Sequence, residues 1–529
     1  MKFTELTDSD KEYIRDIHAN TTLEWDVRMN VLKQKYDKSE RTVRKWISKL
    51  GYSNRNGEEI EIPSEQFKEA QEKVHADKRY YMITWAQNDT DINVEMLRNM
   101  EAYADHIDAE ILVIAGRYRN PTSLRTSDNL KEKEKLEMSW DSKVLPYLTA
   151  NRHNIHKYVQ VLADVKVQPT AYNPLSGFEG FSGLESSILG HPKQHLKSLP
   201  ILDGYPHKVL ASTGAITHPR YTDTKIGKKG EFNHIYGFLL VEVRDEEVFH
   251  IRNVNVNDDG SFTDVYSFVK NGAIKETSRL EGLVLGDLHS GFENERVLGE
   301  TFRIIRELRP KKVVIHDVFD GYSISHHHEK DPFLKYKKHQ NEEDDLDLEI
   351  ENMLELLGMF VSECDGEVNI VRSNHDDHCD RYLRDRDWKK DIRNSESYME
   401  LALAILKGKA DKGVIPYKIN ERFPEINCLG ANESLNIADV ECGMHGDIGA
   451  NGSRGSINQF SKLNVKTITG HSHTPVIFDG AYSVGTSTEL RLEYNKGASS
   501  WMNAHVTIDR FGKRQMILFV DGKFTTLNE

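Results

Sequence analysis

Residues 282–291 read Gly-Leu-Val-Leu-Gly-Asp-Leu-His-Ser-Gly, and residues 311–321 read Lys-Lys-Val-Val-Ile-His-Asp-Val-Phe-Asp-Gly. Each segment contains a short apolar run typical of a buried parallel strand, and residues 295–308 have the apolar spacing of a helix. Acidic and imidazole side chains follow each run. In an open α/β sheet, ligands bind at the carboxyl ends of parallel strands. The sequence therefore predicts two neighbouring strand ends that direct metal-binding side chains into one crevice.

The composition is that of a soluble globular protein. The chain has 529 residues, of which 38% are hydrophobic and 29% charged, so two or three domains are expected. The net charge of -14 argues against sequence-independent coating of nucleic acid, but not against a local basic patch. There is no apolar run of membrane-spanning length, no signal-peptide core, and no C-x-x-C pair among the four cysteines. We therefore expect free thiols, a cytoplasmic location and no membrane partner.

The predicted fold class is α/β, with three domains. Residues 1–75 form a small helical domain, residues 76–275 a middle α/β domain to which no motif assigns a role, and residues 276–529 the domain with the strand-end motifs. Four histidines of the middle domain lack ligand spacing, and we interpret them as surface residues. They are His191, His195, His207 and His218.

Residues 29–50 form a basic segment with helical spacing. Seven Lys and Arg stand against two acidic residues, and helices are predicted over residues 23–35 and 39–50. Such a pair resembles a helix-turn-helix, whose second helix enters the DNA major groove. A packing module with a solvated basic face is the alternative. The candidate DNA-binding residues are Arg41, Arg44, Lys45 and Lys49.

Three further strand-like runs end in the same kinds of side chain. The runs are residues 366–371, 435–441 and 465–469. Asn374 and His375 follow the first, His445 the second, and His471 and His473 the third. A single strand-end Asp is more often a turn former, and a single His more often a core residue, but five such ends in order are hard to obtain by chance. Oxygen and nitrogen donors without thiolate favour Mn²⁺, Fe or Zn²⁺ over Ca²⁺, and argue against a structural zinc site.

These motifs resemble those of the calcineurin-like metallophosphoesterase family. Its pattern is D-x-H, G-D-x-x-D, G-N-H-D/E, a further His and G-H-x-H, and residues 281–490 carry these motifs in that order, with His316 and Ser373 in place of glycines. Neither replacement falls on a ligand position. The resemblance implies a four-layer α/β/β/α sandwich for the C-terminal domain, preceded by the helical and middle domains.

The resemblance also implies two divalent cations, Mn²⁺ first, with Mg²⁺, Fe²⁺ and Zn²⁺ as alternatives. The first set of ligands would be Asp287, His289, Asp317 and His473, and the second Asp317, Asn374, His445 and His471. Asp317 would then bridge the cations, which polarise a phosphoryl group and activate water. His375 would be the acid that assists the leaving oxygen. Asp320 and Asp376 would orient imidazoles from behind the ligands, or serve a structural role.

Metallophosphoesterases act on phosphoproteins, nucleotides, phospholipids and DNA, so the fold alone does not select a substrate. Residues 374–388 and the His-Asp-Val-Phe-Asp-Gly motif resemble the early host-DNA-degrading nucleases of large virulent tailed phages. This resemblance implies a metal-dependent DNase with DNA as its substrate, which acts in the bacterial cytoplasm and forms a homo-oligomer. Two alternatives stay open: a phosphatase or nucleotide phosphodiesterase of the same fold, and a DNA-binding regulator with a scaffold phosphoesterase domain.

Overall fold

The computed structural model describes residues 6–19, 25–38, 42–43, 46–47, 50, 78–118, 140–277, 279–492, 495–525 and 527. Within these ranges the α-helices are Asp8–Ala19, Trp25–Tyr36, Val94–Ile107, Lys225–Phe232, Glu295–Leu308, Pro332–Gln340, Leu346–Glu363, Asp376–Asp385, Ser395–Leu406, Val414–Arg422 and Ile457–Phe460. Short 3₁₀ helices span Ser142–Tyr147, His326–His328, Trp388–Lys390 and Ala450–Gly452. No helix in the described ranges is long and apolar enough to cross a membrane.

The strands are β1 Tyr80–Gln87, β2 Ala109–Gly116, β3 Leu148–Thr149, β4 Arg152–His156, β5 Val159–Leu162, β6 Ser186–Leu189, β7 Leu196–Leu199, β8 Lys208–Ser212, β9 Gly237–Val243, β10 Phe249–Asn255, β11 Phe262–Asp264, β12 Ser267–Lys270, β13 Ala273–Glu276, β14 Gly282–Val284, β15 Lys312–Ile315, β16 Glu367–Ile370, β17 Asn427–Cys428, β18 Asn436–Ile437, β19 Val440–Glu441, β20 Lys466–Thr469, β21 Val476–Phe478, β22 Ala481–Ser483, β23 Ala504–Ile508 and β24 Arg514–Leu518. The protein is therefore a mixed α/β protein, as the sequence predicts.

A six-stranded sheet with the order β17-β16-β15-β14-β23-β24 positions the strand-end motifs. Its strands β14 to β17 run parallel, and β23 and β24 close the sheet antiparallel. The predicted unit of strand, helix and strand is confirmed as β14, Glu295–Leu308 and β15. Successive side chains alternate between the two faces: Leu283 and Val313 pack with the helices, whereas Val284 and Val314 face the other way. One face is thus covered by helices.

A ten-stranded sheet packs against the other face. Its order is β18-β19-β20-β22-β21-β7-β8-β6-β5-β4, so it combines strands from residues 152–212 and 436–483. The two parts join where β21 pairs antiparallel with β7. The sheet therefore crosses the domain boundary expected near residue 276. A five-stranded sheet, β10-β9-β1-β2-β3, contributes to the same core, and β11, β12 and β13 form a small separate sheet.

Two predictions about local structure are wrong. Residues 435–441 do not form one strand but a hairpin of β18 and β19, because Ala438 and Asp439 adopt positive φ angles of 48° and 64° and reverse the chain. His191 and His195 are not surface residues but are buried, with 0% and 2% exposed. Burial is tolerated because each imidazole has a polar partner, the Gln168 carbonyl at 3.1 Å for His191 and the Asp479 carboxylate at 2.9 Å for His195. Of the other two predicted surface histidines, His207 is half-buried and His218 is exposed. The helix Asp376–Asp385 was not predicted.

The N-terminal helices pack into a small core of their own. Ile14 of Asp8–Ala19 and Met29 and Leu32 of Trp25–Tyr36 are buried with Val43, Trp46 and Ile47. The first predicted helix of the basic segment is therefore confirmed. The four candidate DNA-binding residues, Arg41, Arg44, Lys45 and Lys49, lie outside the described residues, so the helix-turn-helix stays a prediction.

Candidate metal centre

The loops after β14 and β15 remain paired beyond the ends of their strands. The Leu288 N–H donates to the His316 carbonyl at 3.0 Å, and the His289 N–H donates to the Asp317 carbonyl at 2.7 Å. Because the two backbones stay in register, the side chains of the two motifs are held next to each other. This pairing brings Asp287, His289 and Asp317 to one edge of the six-stranded sheet.

The backbone at this edge adopts an uncommon conformation. Four of the predicted ligands have positive φ angles: 47° at His289, 46° at Asp317, 72° at His471 and 53° at His473. Non-glycine residues in this region cost about 1–3 kcal/mol each, and such residues cluster at functional sites. The surrounding sheets therefore hold these side chains in place against a local conformational penalty.

The first predicted set of ligands converges. One ligand atom from each of Asp287, His289, Asp317 and His473 lies within 4.8 Å of the others, and all four residues are buried. The His473 Nε2 atom lies 3.2 Å from Asp287 Oδ2 and 3.0 Å from His289 Nε2. The His289 Nε2 atom lies 3.4 Å from Asp317 Oδ2. This arrangement of nitrogen and oxygen donors can hold a metal ion.

The carboxylates of this set have fewer hydrogen bonds than buried charges require. Both oxygens of Asp287 and the Oδ1 atom of Asp317 are buried and accept no hydrogen bond. In the described part of the chain, each ion-pair partner of Asp287 and Asp317 is a histidine. An unsatisfied buried polar group costs about 1–3 kcal/mol, and a charged one costs more. A bound cation would remove this cost, so the residues present fit a metal ion.

The carboxylates also change the protonation of the imidazoles. Burial lowers the pKa of His289 and His445, but the surrounding carboxylates, Asp317 first and Asp287 among the others, together outweigh it and raise both to about 9. The reverse interaction with His445 holds the pKa of Asp317 well below its usual value, despite its burial. The pocket therefore attracts positive charge, either as protons on the imidazoles or as a cation.

Asp320 fixes the orientation of His289. The Nδ1–H of His289 donates to Asp320 Oδ1 at 2.8 Å. When a cation replaces the proton on Nε2, the Nε2 lone pair faces Asp317 and His473, which is the usual arrangement for a metal-binding histidine. A second group, His289, Asp320 and His375, also has its ligand atoms close together. Asp320 thus lies behind His289. It is also close enough to His289 and His375 to contact a cation that these residues would hold.

The second predicted set lies on the other side of Asp317. The His445 Nε2 atom is 3.3 Å from Asp317 Oδ2 and 3.1 Å from Asn374 Oδ1. The same Asp317 oxygen therefore contacts His289 of the first set and His445 of the second. His471 is half-buried and packs its ring 5.2 Å from that of His445, outside both close groups.

His375 lies between the two sets and the solvent. Its Nδ1–H donates to the Asp320 carbonyl at 2.7 Å, and its ring lies 4.5 Å from that of His289. The side chain is 23% exposed, unlike the buried ligands. Because a carbonyl oxygen only accepts, the hydrogen bond fixes the proton of the neutral ring on Nδ1 and leaves Nε2 as the available nitrogen.

Asp376 supports the loop rather than an imidazole. The Ser373 N–H donates to Asp376 Oδ2 at 3.1 Å, and the Asp376 N–H donates to Ser373 Oγ at 3.2 Å. Burial raises the pKa of Asp376 to about 7. Of the two sequence interpretations of Asp376, these bonds favour the structural one. Ser373, which replaces a glycine of the family pattern, closes the turn before the helix Asp376–Asp385.

Sequence reasoning missed two residues of the centre. His316 is fully buried, and its ring lies 5.5 Å from that of His445. A Cβ on Gly470 would collide with Asp287 Oδ1 and approach His316 Cγ to 3.0 Å, so the glycine leaves room for both side chains. Trp501 packs its ring 4.1 Å from that of His473. No motif includes Trp501. By contrast, His316 replaces a glycine of the metallophosphoesterase pattern that the sequence resembles, and this difference could have identified it as a residue of the centre.

A cavity of about 530 Å³ opens beside the centre. His445 and Ser373 line its inner end, and Arg372 lies at its side. Its other lining residues include four acidic side chains. These are Asp377, Glu433, Glu441 and Asp447. The cavity has the size of a small-molecule site and is continuous with the candidate metal ligands.

The fold and the site define a mixed α/β protein with a buried cluster of aspartates and histidines that can hold a metal ion. The chain is 32% identical over 468 residues to "Protein A1" of Escherichia phage T5, and the matched region covers 84% of this chain and 82% of that protein. The chain therefore belongs to the family of the phage T5 Protein A1. No protein-family model matches it.

Proposed function

We propose that the protein is a metal-dependent phosphodiesterase of the calcineurin-like type that cleaves DNA, and that it degrades the bacterial chromosome early in phage infection. The observation that carries this proposal is the position of Asp317, whose Oδ2 atom contacts a donor set on each side. Two donor sets that share one carboxylate are typical of centres for phosphoryl hydrolysis. The order of the sequence motifs supports a phosphodiesterase of this type. The relationship to a phage protein supports a role in phage infection.

Two divalent cations would occupy the two donor sets, with Mn²⁺ as our first choice. Asp287, His289, Asp317 and His473 would hold one, and Asp317, Asn374, His445 and His471 the other. Bound cations would polarise the phosphoryl group and lower the pKa of water at the site. The unpartnered oxygens of Asp287 and Asp317 support this assignment, because they are buried acceptors with no donor in the described chain.

His375 would supply the proton for the leaving oxygen. The Asp320 carbonyl holds its Nδ1–H, so Nε2 is the nitrogen that exchanges a proton with the substrate. A general acid must reach both solvent and substrate, and the partial exposure of His375 meets this need. Asp320 would then have two functions: its carbonyl positions His375 and its carboxylate positions His289.

A nucleotide phosphodiesterase or phosphatase is a second candidate. The cavity beside His445 favours it, because its volume suits a small molecule and its acidic lining would repel a long phosphate backbone. DNA would instead have to approach the centre from the side of His375. The two candidates therefore predict different substrates for the same ligands.

The test is a nuclease assay on linear and circular duplex DNA with Mg²⁺, Mn²⁺ or Zn²⁺, alongside p-nitrophenyl esters and cyclic nucleotides. We expect Mn²⁺-dependent cleavage of DNA that is lost in Asp317→Asn and His375→Ala. The matched control is Asp347→Asn, which removes an exposed carboxylate elsewhere and should leave cleavage unchanged. Full activity in both site variants would refute the assignment of the site. Strong ester turnover with intact DNA would favour the second candidate.

A further inference from the structure

A second cavity, of about 430 Å³, lies at the far end of β20 from the metal centre. Lys466, the first residue of β20, lines this cavity, whereas His471 follows the other end of the strand. Five residue steps at about 3.3 Å each separate the two by at most roughly 16 Å. None of the predicted metal ligands lines this cavity. It is therefore a separate site.

Three cations form the basic floor of the cavity: Lys466, Lys513 and Arg514. Lys466 Nζ donates to the Gly512 carbonyl at 3.4 Å, and Lys513 Nζ donates to the Val256 carbonyl at 3.3 Å. No ion pair joins any of the three to a carboxylate in the part of the chain that the structure describes. Burial and, to a smaller extent, the charge of Arg514 lower the pKa of both lysines, and the Asp509 carboxylate offsets only part of this shift. In the described residues, no carboxylate therefore neutralises these cations through an ion pair.

Arg514 is fixed in position. It is 6% exposed, lies over the Tyr482 ring at 4.0 Å, and donates through Nη1 to the Thr467 and Gly480 carbonyls at 3.0 and 2.6 Å. A guanidinium held in this way needs little reordering when an anion arrives. The basic floor is thus partly preorganised.

The acidic residues of the cavity do not cancel the basic floor. Asp479 Oδ1 already pairs with Lys193 Nζ and His195 Nε2, each at 2.9 Å. Asp258 is the other acidic lining residue, so four Lys and Arg side chains stand against two carboxylates. The cavity keeps a positive surplus that suits a phosphate group.

An aromatic wall completes the cavity: Phe232, His234 and Tyr236. Phe232 ends the helix Lys225–Phe232 and is 84% exposed, which is unusual for so large an apolar side chain. The His234 and Tyr236 rings pack edge to face, with their centroids 5.6 Å apart. Aromatic side chains next to cations are the combination with which proteins bind a base and its phosphate.

We propose that this cavity binds a nucleoside phosphate, with the phosphate on the basic floor and the base against the aromatic wall. The cavity has the volume of a small-molecule site, larger than inorganic phosphate alone requires. The proposal is independent of the phosphodiesterase activity, because it uses none of the metal ligands.

The test is isothermal titration calorimetry on the full chain with 2′-deoxyadenosine 5′-monophosphate, deoxyadenosine and inorganic phosphate as separate probes. EDTA in the buffer keeps the metal centre from contributing to phosphate binding. We expect one nucleotide per chain, bound at least about tenfold more tightly than either fragment. The double variant Lys466→Met, Lys513→Met should weaken nucleotide binding at least about tenfold. Phe232→Ala should weaken binding of the nucleotide but not of inorganic phosphate.

The control variant is Lys462→Met, which removes an exposed lysine just before β20 that does not line the cavity. The affinity of this variant for the nucleotide should equal that of the wild type. Lys466→Glu serves as a second variant, since Lys466 is partly exposed and its change is compatible with folding. Absence of nucleotide binding, or equal affinity in the lysine variants and wild type, would overturn the proposal. Inorganic phosphate bound as tightly as the nucleotide would overturn the role of the aromatic wall.

Discussion

Replacing Asp317 by Asn should abolish both metal sites at once. The side chain is buried, and its Oδ2 atom lies 3.4 Å from His289 Nε2 and 3.3 Å from His445 Nε2, so one carboxylate serves both donor sets. Asn keeps the shape of the side chain but removes its charge. By contrast, Asn374 contacts only the second set, through His445. Asn374→Ala should therefore abolish one site and leave the other.

The magnitude follows from linkage between binding and folding. At a free metal concentration of 100 times the dissociation constant, each site stabilises the folded state by about 2.7 kcal/mol. Two sites that are each filled at this ratio would together contribute about 5 kcal/mol, the sum of two such terms. Asp317→Asn should lose the whole increment, and Asn374→Ala about half of it. Asp347→Asn, at an exposed position, should lose none.

The assay has two readouts on the purified chain. Equilibrium dialysis with elemental analysis counts Mn²⁺ per chain, and we expect two for the wild type, one for Asn374→Ala and none for Asp317→Asn. Denaturant unfolding with and without Mn²⁺ measures the stabilisation. One firmly bound ion in Asp317→Asn would refute the bridging role of this carboxylate. A single ion in the wild type would refute the two-metal arrangement.

Three further substitutions test a buried ion-pair network and the packing beside the metal centre. Arg252→Met should lower the free energy of unfolding by about 3–5 kcal/mol in a urea titration, because it leaves two buried carboxylates without their guanidinium. Gly470→Ala should weaken Mn²⁺ binding at least about tenfold in dialysis, because the added Cβ collides with Asp287 Oδ1. Burial lowers the pKa of His505 to about 4, and its Nδ1 accepts a hydrogen bond from the Gly286 N–H at 2.9 Å. Below pH 6.5 the unfolded imidazole takes up a proton that the folded one does not, so stability should fall by roughly 3 kcal/mol between pH 6.5 and 4. His505→Asn should remove this part of the pH dependence in urea titrations.

Two matched variants serve as controls for these substitutions. Arg152→Met breaks an ion pair of 3.3 Å that is about 40% exposed on both sides, and should cost at most about 1 kcal/mol. Gly299→Ala places a Cβ in open space within a helix and should stabilise the protein by about 0.5–1 kcal/mol without an effect on Mn²⁺ binding. Equal losses in Arg152→Met and Arg252→Met would contradict the importance of the buried network. Equal metal affinities in the two glycine variants would contradict the role of Gly470.

The strands and helices around the centre were predictable because their signals are local. β14, β15 and the helix between them follow from apolar runs and helical spacing in about 40 consecutive residues. The hairpin of β18 and β19 was not predictable in this way. It depends on positive φ angles at Ala438 and Asp439, which are not glycines and give no sequence signal.

The burial of isolated polar residues was also not predictable from the sequence. His195 carries no motif, and its burial depends on Asp479, which lies 284 positions away in the chain. The second cavity was not predictable for the same reason, because its walls come from segments that are far apart in sequence. Its aromatic wall lies at the end of the helix Lys225–Phe232 and directly after it, whereas its basic floor lies in β20 and at the start of β24. The periodicity of one segment does not predict contacts between segments that are distant in sequence.

The sequence by itself determined the α/β class, the order of the strand-end motifs and the candidate ligands, because each depends on a few neighbouring residues. The tertiary structure alone decided which donors converge. It placed one oxygen of Asp317 between His289 and His445, assigned Asp376 to its loop through Ser373, and left His471 at the edge of the second set. It also joined strands from both sides of residue 276 into one sheet. These outcomes depend on the packing of segments that are hundreds of residues apart, which local spacing does not encode.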